Sequence, residues 1–401
     1  MYSVVARNDT TPFSKVGHNC ERIKPPFMLL YLQLPNIFGL RKEVMNIEEC
    51  YKNDPSTSAM VRNITLVASL GDSVLAGYGA RQRTSWPSFN FLDFKEDRGA
   101  TAINGGDSDM ISIFNMIKSF NPDVQGGSYN SHFINVCSDK LCFWPFNRFH
   151  KSDGLNMAAS GSFASDMMYH TRSLVHRIKQ MYIKQPKLKK SWKFVALWVG
   201  LNDQCRYCDR EKSKIDKFQM YIKDVVDYLR LHLEFVIIDV ISLWNIDKLV
   251  DLSLNHSACK SNFRQTFFKI HCTCGFGKNY KETRKGMALF QKRQNKVLSD
   301  MVESFQNGSA WNAKDSKYLG QQTNFKLIYD PSSEEMDLNE YHWSIITKTD
   351  CSHPSKETHE RLASVLWYNL FRNSTEKLRN QKWAFQKPYL RFSCPGDIQF
   401  Q

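Results

Sequence analysis

The stretch VASLGDSVLAGYG (67–79) carries an apolar run into a Gly71–Asp72 turn and then places a small polar residue, Ser73. A serine where a buried strand ends reads as a nucleophile held at the edge of a sheet. Its hydroxyl attacks a carbonyl at neutral pH only if a base takes its proton, and the base needs a third group to orient it. A matching pair lies far along the chain, in TDCSHPS (349–355). Asp350 and His353 are three residues apart, a spacing at which side chains meet across one turn of backbone. The carboxylate can then accept from one imidazole nitrogen and leave the other for Ser73. Ester cleavage also needs preorganised donors for the oxyanion that forms. Gly161, in LNMAASGSFASDM (155–167), allows close backbone approach and an exposed N–H. Asn202, in WVGLNDQC (198–205), offers a side-chain amide just after Gly200. Each piece alone has an ordinary alternative: a turn glycine, an Asn–Asp helix cap, a surface Asp–His loop.

These residues need a frame that brings them together. ITLVASL (64–70), KFVALWVG (193–200), EFVIIDVISL (234–243) and FKLIYD (325–330) are apolar at nearly every position. That pattern predicts strands covered on both faces, as in a parallel sheet. Between them, residues 214–233 place Ile215, Phe218, Ile222, Val225, Val226, Leu229 and Leu233 at three- and four-residue steps, one helical stripe facing a core. Leu362, Val365, Leu366 and Leu370 repeat the pattern near the end, with Ser355 as cap. The alternation predicts a doubly wound α/β sandwich, whose ligands sit beyond the carboxyl ends of the strands. Ser73 and Asn202 each follow a strand directly. Residues 1–57, rich in Pro, Asn and charge, read as an irregular extension, and 58–401 as one hydrolase-sized domain without internal repeats.

Composition sets the limits. With 401 residues, 42% hydrophobic and 23% charged, the chain is long enough for a large core and is not wholly disordered. The net charge of +14 fits either attraction to an anionic membrane surface or a basic, soluble exterior. The densest cluster, KQPKLKKSWK (184–193), reads as a solvated loop, and no nucleic-acid motif accompanies it. Among 11 cysteines, Cys205 and Cys208 form C-x-x-C, and Cys272 and Cys274 form C-x-C. The second pair is too close for a usual zinc finger, so disulfides are the better reading, and the odd total leaves at least one thiol unpaired or bonded to another chain. Five N-x-S/T triplets, at Asn8, Asn63, Asn255, Asn307 and Asn373, point the same way, to an extracellular or membrane-associated protein. Residues 1–26 show no clear signal peptide, and FMLLYLQL (27–34) is too short to span a bilayer. The other main esterase signature, G-x-S-x-G, is absent. Nothing in the sequence sets an oligomeric state.

The pieces form an ordered set: G-D-S, N-x-x-x-x-G, G-x-N-D and D-x-x-H. In this order they resemble the four blocks of the GDSL or SGNH hydrolases. The resemblance implies a three-layer α/β/α sandwich with a mainly parallel sheet, and catalysis without metal or organic cofactor. It makes Ser73 the nucleophile, His353 the general base and acid, and Asp350 its orienting partner. The Ser73 and Gly161 N–H groups and the Asn202 side chain become the oxyanion hole. Further segments resemble the phospholipase B branch of animals: SWPSFN (85–90), INGGDSDMISIFNMIKSFNPDVQGGS (103–128), GLNDQCRYCD, DCSHPSKETHERLASVLWYNLF and FSCPGDIQ (392–399). The likeness covers about residues 50–400. It departs at Val74, where the family has Leu, and it gives Asp107 no role. It implies a phospholipid or lysophospholipid acyl substrate. The aromatic run CFWPFNRF (142–149), flanked by Cys and Pro, reads as local packing, with a lipid contact as the alternative. The alternatives are a carboxylesterase for soluble esters and a catalytically inactive lipid- or glycan-binding protein.

Overall fold

The computed structural model describes residues 55–81, 94–134, 150–209, 214–255, 259, 268–276, 279–307, 324–334, 345–347, 349–372, 375 and 377, and its main strands and α-helices among them are as follows. The strands are β1 (Ile64–Gly71), β2 (Lys95–Glu96), β3 (His132–Phe133), β4 (Trp192–Trp198), β5 (Val236–Ile241) and β6 (Phe325–Asp330). The helices are α1 (Pro55–Arg62), α2 (Ser73–Ala76), α3 (Ile113–Phe120), α4 (Met167–Lys184), α5 (Leu201–Cys205), α6 (Ile215–His232), α7 (Ile246–Asn255), α8 (Thr273–Phe276), α9 (Tyr280–Gln306) and α10 (Lys356–Leu370). Contacts divide the chain into Met1–Arg41 and Lys42–Gln401, and every described residue belongs to the second unit. The expected boundary at 57/58 falls inside α1. The segments 85–90, 142–149 and 392–399, the Asn8 and Asn373 triplets, and cysteines 20, 50, 137, 142 and 394 lie outside the described residues.

All four long apolar runs become strands of one parallel sheet, in the order β1-β4-β5-β6. β1, β4 and β5 are buried almost throughout, which is why their sequences are apolar on both faces. Each crossover steps the same way across the sheet, so right-handed connections put α4, α6 and α9 on one face, where they pack on one another. α1, α3 and α10 pack together as the other layer. The result is the expected three-layer α/β/α sandwich. The stripe of α6 is buried from Phe218 to Leu229, and that of α10 from Leu362 to Leu370, with the Ser355 hydroxyl accepting from the Thr358 N–H at 3.3 Å.

Three features depart from or extend the sequence reading. Lys187, Lys189 and Lys190 are exposed as expected, but Lys193 at the end of that cluster is buried. Its ammonium donates to the carbonyls of Lys189, Ser191 and Glu234, and burial lowers its pKa to about 8. α9 is the longest helix, yet its buried stripe includes Gln291, Gln294 and Asn295. These amides donate to the carbonyls of Leu243 and Gly200 at the carboxyl edge of the sheet. The free edge of β1 is covered by backbone from Gln125 and from Leu155–Ala159, which bond to Val67, Ser69 and Gly71. That strip carries the Gly161 block.

The C-x-x-C and the C-x-C join each other, as Cys205–Cys272 and Cys208–Cys274, and a third disulfide links Cys259 to Cys351. Among the described residues no helix is long and apolar enough to cross a membrane.

In β5, Asp239 is buried without a hydrogen-bond partner on either oxygen. Burial, reinforced by Asp330, holds its carboxyl well above the ordinary 3.8. An acid whose pKa rises on folding stabilises the fold least once the unfolded chain can ionise, so its contribution is lost as pH climbs past that ordinary value. Asp239→Asn is therefore expected to raise the melting temperature at pH 7.5. The gain should fade as the pH of the melt is lowered towards 4.

Candidate active site

Ser73 owes its position to the residues on either side. At Gly71 a side chain would come within 2.5 Å of the Trp198 carbonyl, so glycine lets β1 close on β4 at its last residue. Asp72 then caps α2, accepting from the Val74 N–H at 3.0 Å. α2 lasts one turn and ends at Gly77, whose φ of 74° is the left-handed cap glycine favours. Ser73 is the first residue of that turn, 8% exposed, at the carboxyl edge of the sheet. Val74 is buried, which fits a packing rather than a chemical role.

The Asp350–His353 turn reaches the same point from 280 residues away. His353 Nε2 lies 2.6 Å from Ser73 Oγ, and His353 Nδ1 bonds directly to Asp350 Oδ2. Asp350 is buried and also accepts from Thr347 Oγ1 (3.0 Å), Ser352 Oγ (2.7 Å), and the N–H groups of Ser352 (3.0 Å) and His353 (3.1 Å). Between the pair, Cys351 sits at φ 60° and is fixed by its disulfide to Cys259. The α10 cap closes the turn on its far side.

The electrostatics follow from burial and proximity. Burial alone would lower the His353 pKa, but the Asp350 carboxylate outweighs it and holds the imidazole above the usual histidine value. Burial would raise Asp350, and the charge and hydrogen bonds of His353 overcome it, leaving the carboxyl well below its ordinary range. Asp350 therefore stays an acceptor while His353 can gain and lose a proton. A second carboxyl in this group was not anticipated: burial pushes Asp72 up to about 6, against the Val74 N–H and the nearby His353. Its place beside the serine, in a motif that is otherwise backbone, is the signal that could have marked it.

The two expected oxyanion donors converge on this cleft. Gly161, at φ 81°, ends the strip that covers β1. Asn202 is the second residue of α5, just past Gly200 at φ 135°, where a side chain would strike Leu243 and Phe218. The Asn202 Nδ2 donates to the Ser162 carbonyl at 2.9 Å, which orients the amide and leaves its second N–H for another acceptor. Ser73, Gly161, Asn202 and His353 line one cavity of about 240 Å³, closed by Tyr78, Phe94 and Ile134. A smaller one of about 50 Å³ also touches Ser73 and is lined by Val74, Leu201, Trp244 and Phe268. His271, beside the disulfide-bonded Cys272, borders both cavities and was missed in the sequence. Tyr78 packs 4.7 Å from the His353 ring. Asp107 lies elsewhere in the hydrogen-bond pattern: it pairs with Arg81 at 2.6 Å and accepts from the Asn130 N–H, a structural clasp. Among the described residues no group of three or more His, Cys, Asp or Glu is placed to hold a metal ion.

Such a cleft can remove a serine proton and stabilise an oxyanion. Asn202→Ala is expected to cut kcat by about 10²–10³, or about 2.7–4 kcal/mol of transition-state stabilisation, with the fold intact. Steady-state kinetics beside a melting curve check it.

The chain has relatives among known proteins. The chain is 24% identical over 348 residues to membrane-associated phospholipase B1 of Homo sapiens, covering 83% of this chain and 20% of that protein. It is likewise 24% identical over 354 residues to membrane-associated phospholipase B1 of Mus musculus, covering 85% and 21%. The chain thus spans about a fifth of the length of these curated relatives. The family model for GDSL-like lipase/acylhydrolase matches residues 67–366, from the strand that delivers Ser73 to the helix that anchors His353, and the chain belongs to that family of lipolytic ester hydrolases.

Proposed function

We propose that the protein is a serine ester hydrolase of the phospholipase B type, releasing fatty acid from phospholipids or lysophospholipids through an acyl-enzyme at Ser73. The observation that carries it is the 2.6 Å contact between Ser73 Oγ and His353 Nε2, with Asp350 bonded behind the imidazole. In the first half-reaction His353 takes the serine proton as Oγ adds to the acyl carbonyl. The oxyanion is received by the Ser73 and Gly161 N–H groups and the Asn202 amide. His353 then passes the proton to the leaving alcohol, and the ester bond breaks. In the second half-reaction His353 takes a proton from water as it adds to the acyl-enzyme, then returns it to Ser73 Oγ as the acyl–Oγ bond breaks, releasing the fatty acid and the free serine.

The lipid part of the proposal draws on the cavity, the relatives and the charge. The 240 Å³ cavity beside Ser73 is walled by Tyr78, Phe94 and Ile134. At about 30 Å³ per water-sized group it has room for about eight chain atoms, enough for the carbonyl end of an acyl chain. The similar proteins are phospholipases by name. The +14 charge suits an anionic lipid surface, and three disulfides suit an oxidising, extracellular setting. The catalytic domain of this reading is 58–401.

Turnover on lysophosphatidylcholine micelles, compared with a short soluble ester, tests the substrate. A kcat/KM at least about tenfold higher on micelles, or about 1.4 kcal/mol, is expected. Equal rates, with no gain at the micelle threshold, would leave a carboxylesterase for soluble esters instead.

A further inference from the structure

Behind the cleft lies a charged pair that the chemistry above does not use. Glu96 and Arg98 are both fully buried, and they bond through Arg98 Nε (3.1 Å) and a terminal guanidinium nitrogen (2.6 Å) to one Glu96 oxygen. A buried ion pair is weak evidence for stability, because desolvation offsets most of the attraction. Its remaining bonds show what it holds.

The other Glu96 oxygen accepts from Ser160 twice, from the hydroxyl at 2.7 Å and from the N–H at 3.2 Å. Ser160 is the residue before Gly161. Arg98 donates to Asn156, to its carbonyl at 3.2 Å and its side-chain oxygen at 3.3 Å. Asn156 in turn donates to the Leu75 carbonyl at 2.8 Å, inside the helix that begins with Ser73. The backbone around Glu96 is tied to the exit of that same helix. The Asp97 N–H donates to Gly77 and the Gly79 N–H to Lys95, both at 2.8 Å. The bonds therefore close a ring, from the serine helix through β2 and Glu96 to Ser160, and back through Asn156 to Leu75. Gly161 hangs from one side of this ring and Ser73 from the other.

We propose that the buried Glu96–Arg98 pair is a brace that sets the distance between nucleophile and oxyanion donor, making Glu96, Arg98 and Ser160 positioning residues. None of the three has a place in the proton transfers. A charge pair suits the task because its forked geometry fixes several bonds at once in a dry interior, where an apolar filler would leave the Ser160 N–H and the Asn156 carbonyl without partners. The proposal rests on Gly161 being an oxyanion donor, as read above.

Ser160→Ala is the informative variant. It removes one bond of the brace, keeps the Gly161 N–H, and leaves the ion pair paired. The expected result is a fall in kcat of between about tenfold and a hundredfold, the cost of a misplacement near 1 Å. KM should stay within twofold, the acid limb of the pH profile should not move, and the melting temperature should hold within about 2 °C. A Glu96→Gln variant should lose more kcat with the same split. If Gln does not fold, Ser160→Ala alone decides. Wild-type kcat in Ser160→Ala overturns the brace, and so does a loss carried by KM, which would make Ser160 a substrate contact. A shift in the pH limb or a collapse in melting temperature also overturns it, as a general structural effect. Asn202→Ala, measured alongside, separates the two readings. A large loss there with none in Ser160→Ala sinks only the brace, whereas no loss in either sinks the oxyanion assignment itself.

Discussion

Ser73→Ala should abolish turnover, with kcat falling by about 10⁶ while the melting temperature stays unchanged. The size follows from the way the three groups act as a unit. Removing the hydroxyl leaves His353 and Asp350 with nothing to activate and forces any residual hydrolysis to rely on water and the oxyanion donors alone. Those donors set a floor, so activity should remain above the uncatalysed rate. Folding should be indifferent: Ser73 is a small residue at the mouth of a cavity, and its Oγ bonds only to His353 in the described structure. A variant that retained more than a small fraction of wild-type kcat would mean that another group attacks the ester.

Asp350→Asn should cost about 10⁴ in kcat for a different reason. An amide there keeps the shape of the turn, and its oxygen can still accept from Thr347 and Ser352. However, it cannot hold the imidazole with its Nδ1 proton inward as a carboxylate does, so Nε2 no longer faces Ser73 as a base. The pH profile carries a second signature. His353 must be neutral to accept the serine proton, so activity rises as pH climbs through its pKa. Asp350 holds that pKa above the usual histidine value of 6.5, which places the acid limb of wild-type kcat/KM above 6.5. Removing the carboxylate takes away what raised it, and the limb of the residual activity should move to lower pH. Rate measurements between pH 5 and 9 on both proteins would show the two effects together. An unmoved limb would assign the wild-type limb to another group, with Asp72, near 6, the first to examine.

Much of the cleft was legible because its chemistry is local. Ser73 and Asn202 could be placed at the sheet edge because each directly follows a short run apolar at nearly every position, the pattern of a strand covered on both faces. Asp350 and His353 share one turn, so their pairing needed no knowledge of the fold. Their meeting with Ser73 did, since it depends on α10 packing back across the sheet. What stayed hidden was polar and buried. The stripe of α9 is interrupted by Gln291, Gln294 and Asn295, whose partners are backbone carbonyls that no side-chain pattern announces. Glu96 and Arg98 look like surface residues until the Gly161 strip is laid along β1. The disulfide pairing was equally beyond spacing. Cys205 and Cys208 sit on one turn with their partners 67 and 66 residues away, and only the docking of α8 against α5 brings them within reach.

The most direct test of the catalytic centre is covalent. The folded protein is treated with a fluorophosphonate at pH 8, digested, and the modified peptide sequenced by mass spectrometry. The phosphonyl group should be found on Ser73 in the 67–79 stretch, at one equivalent per chain, with labelling lost in His353→Ala. Full activity with Ser73 unlabelled, or labelling that persists at the same rate without His353, would contradict a nucleophile at Ser73 driven by that imidazole.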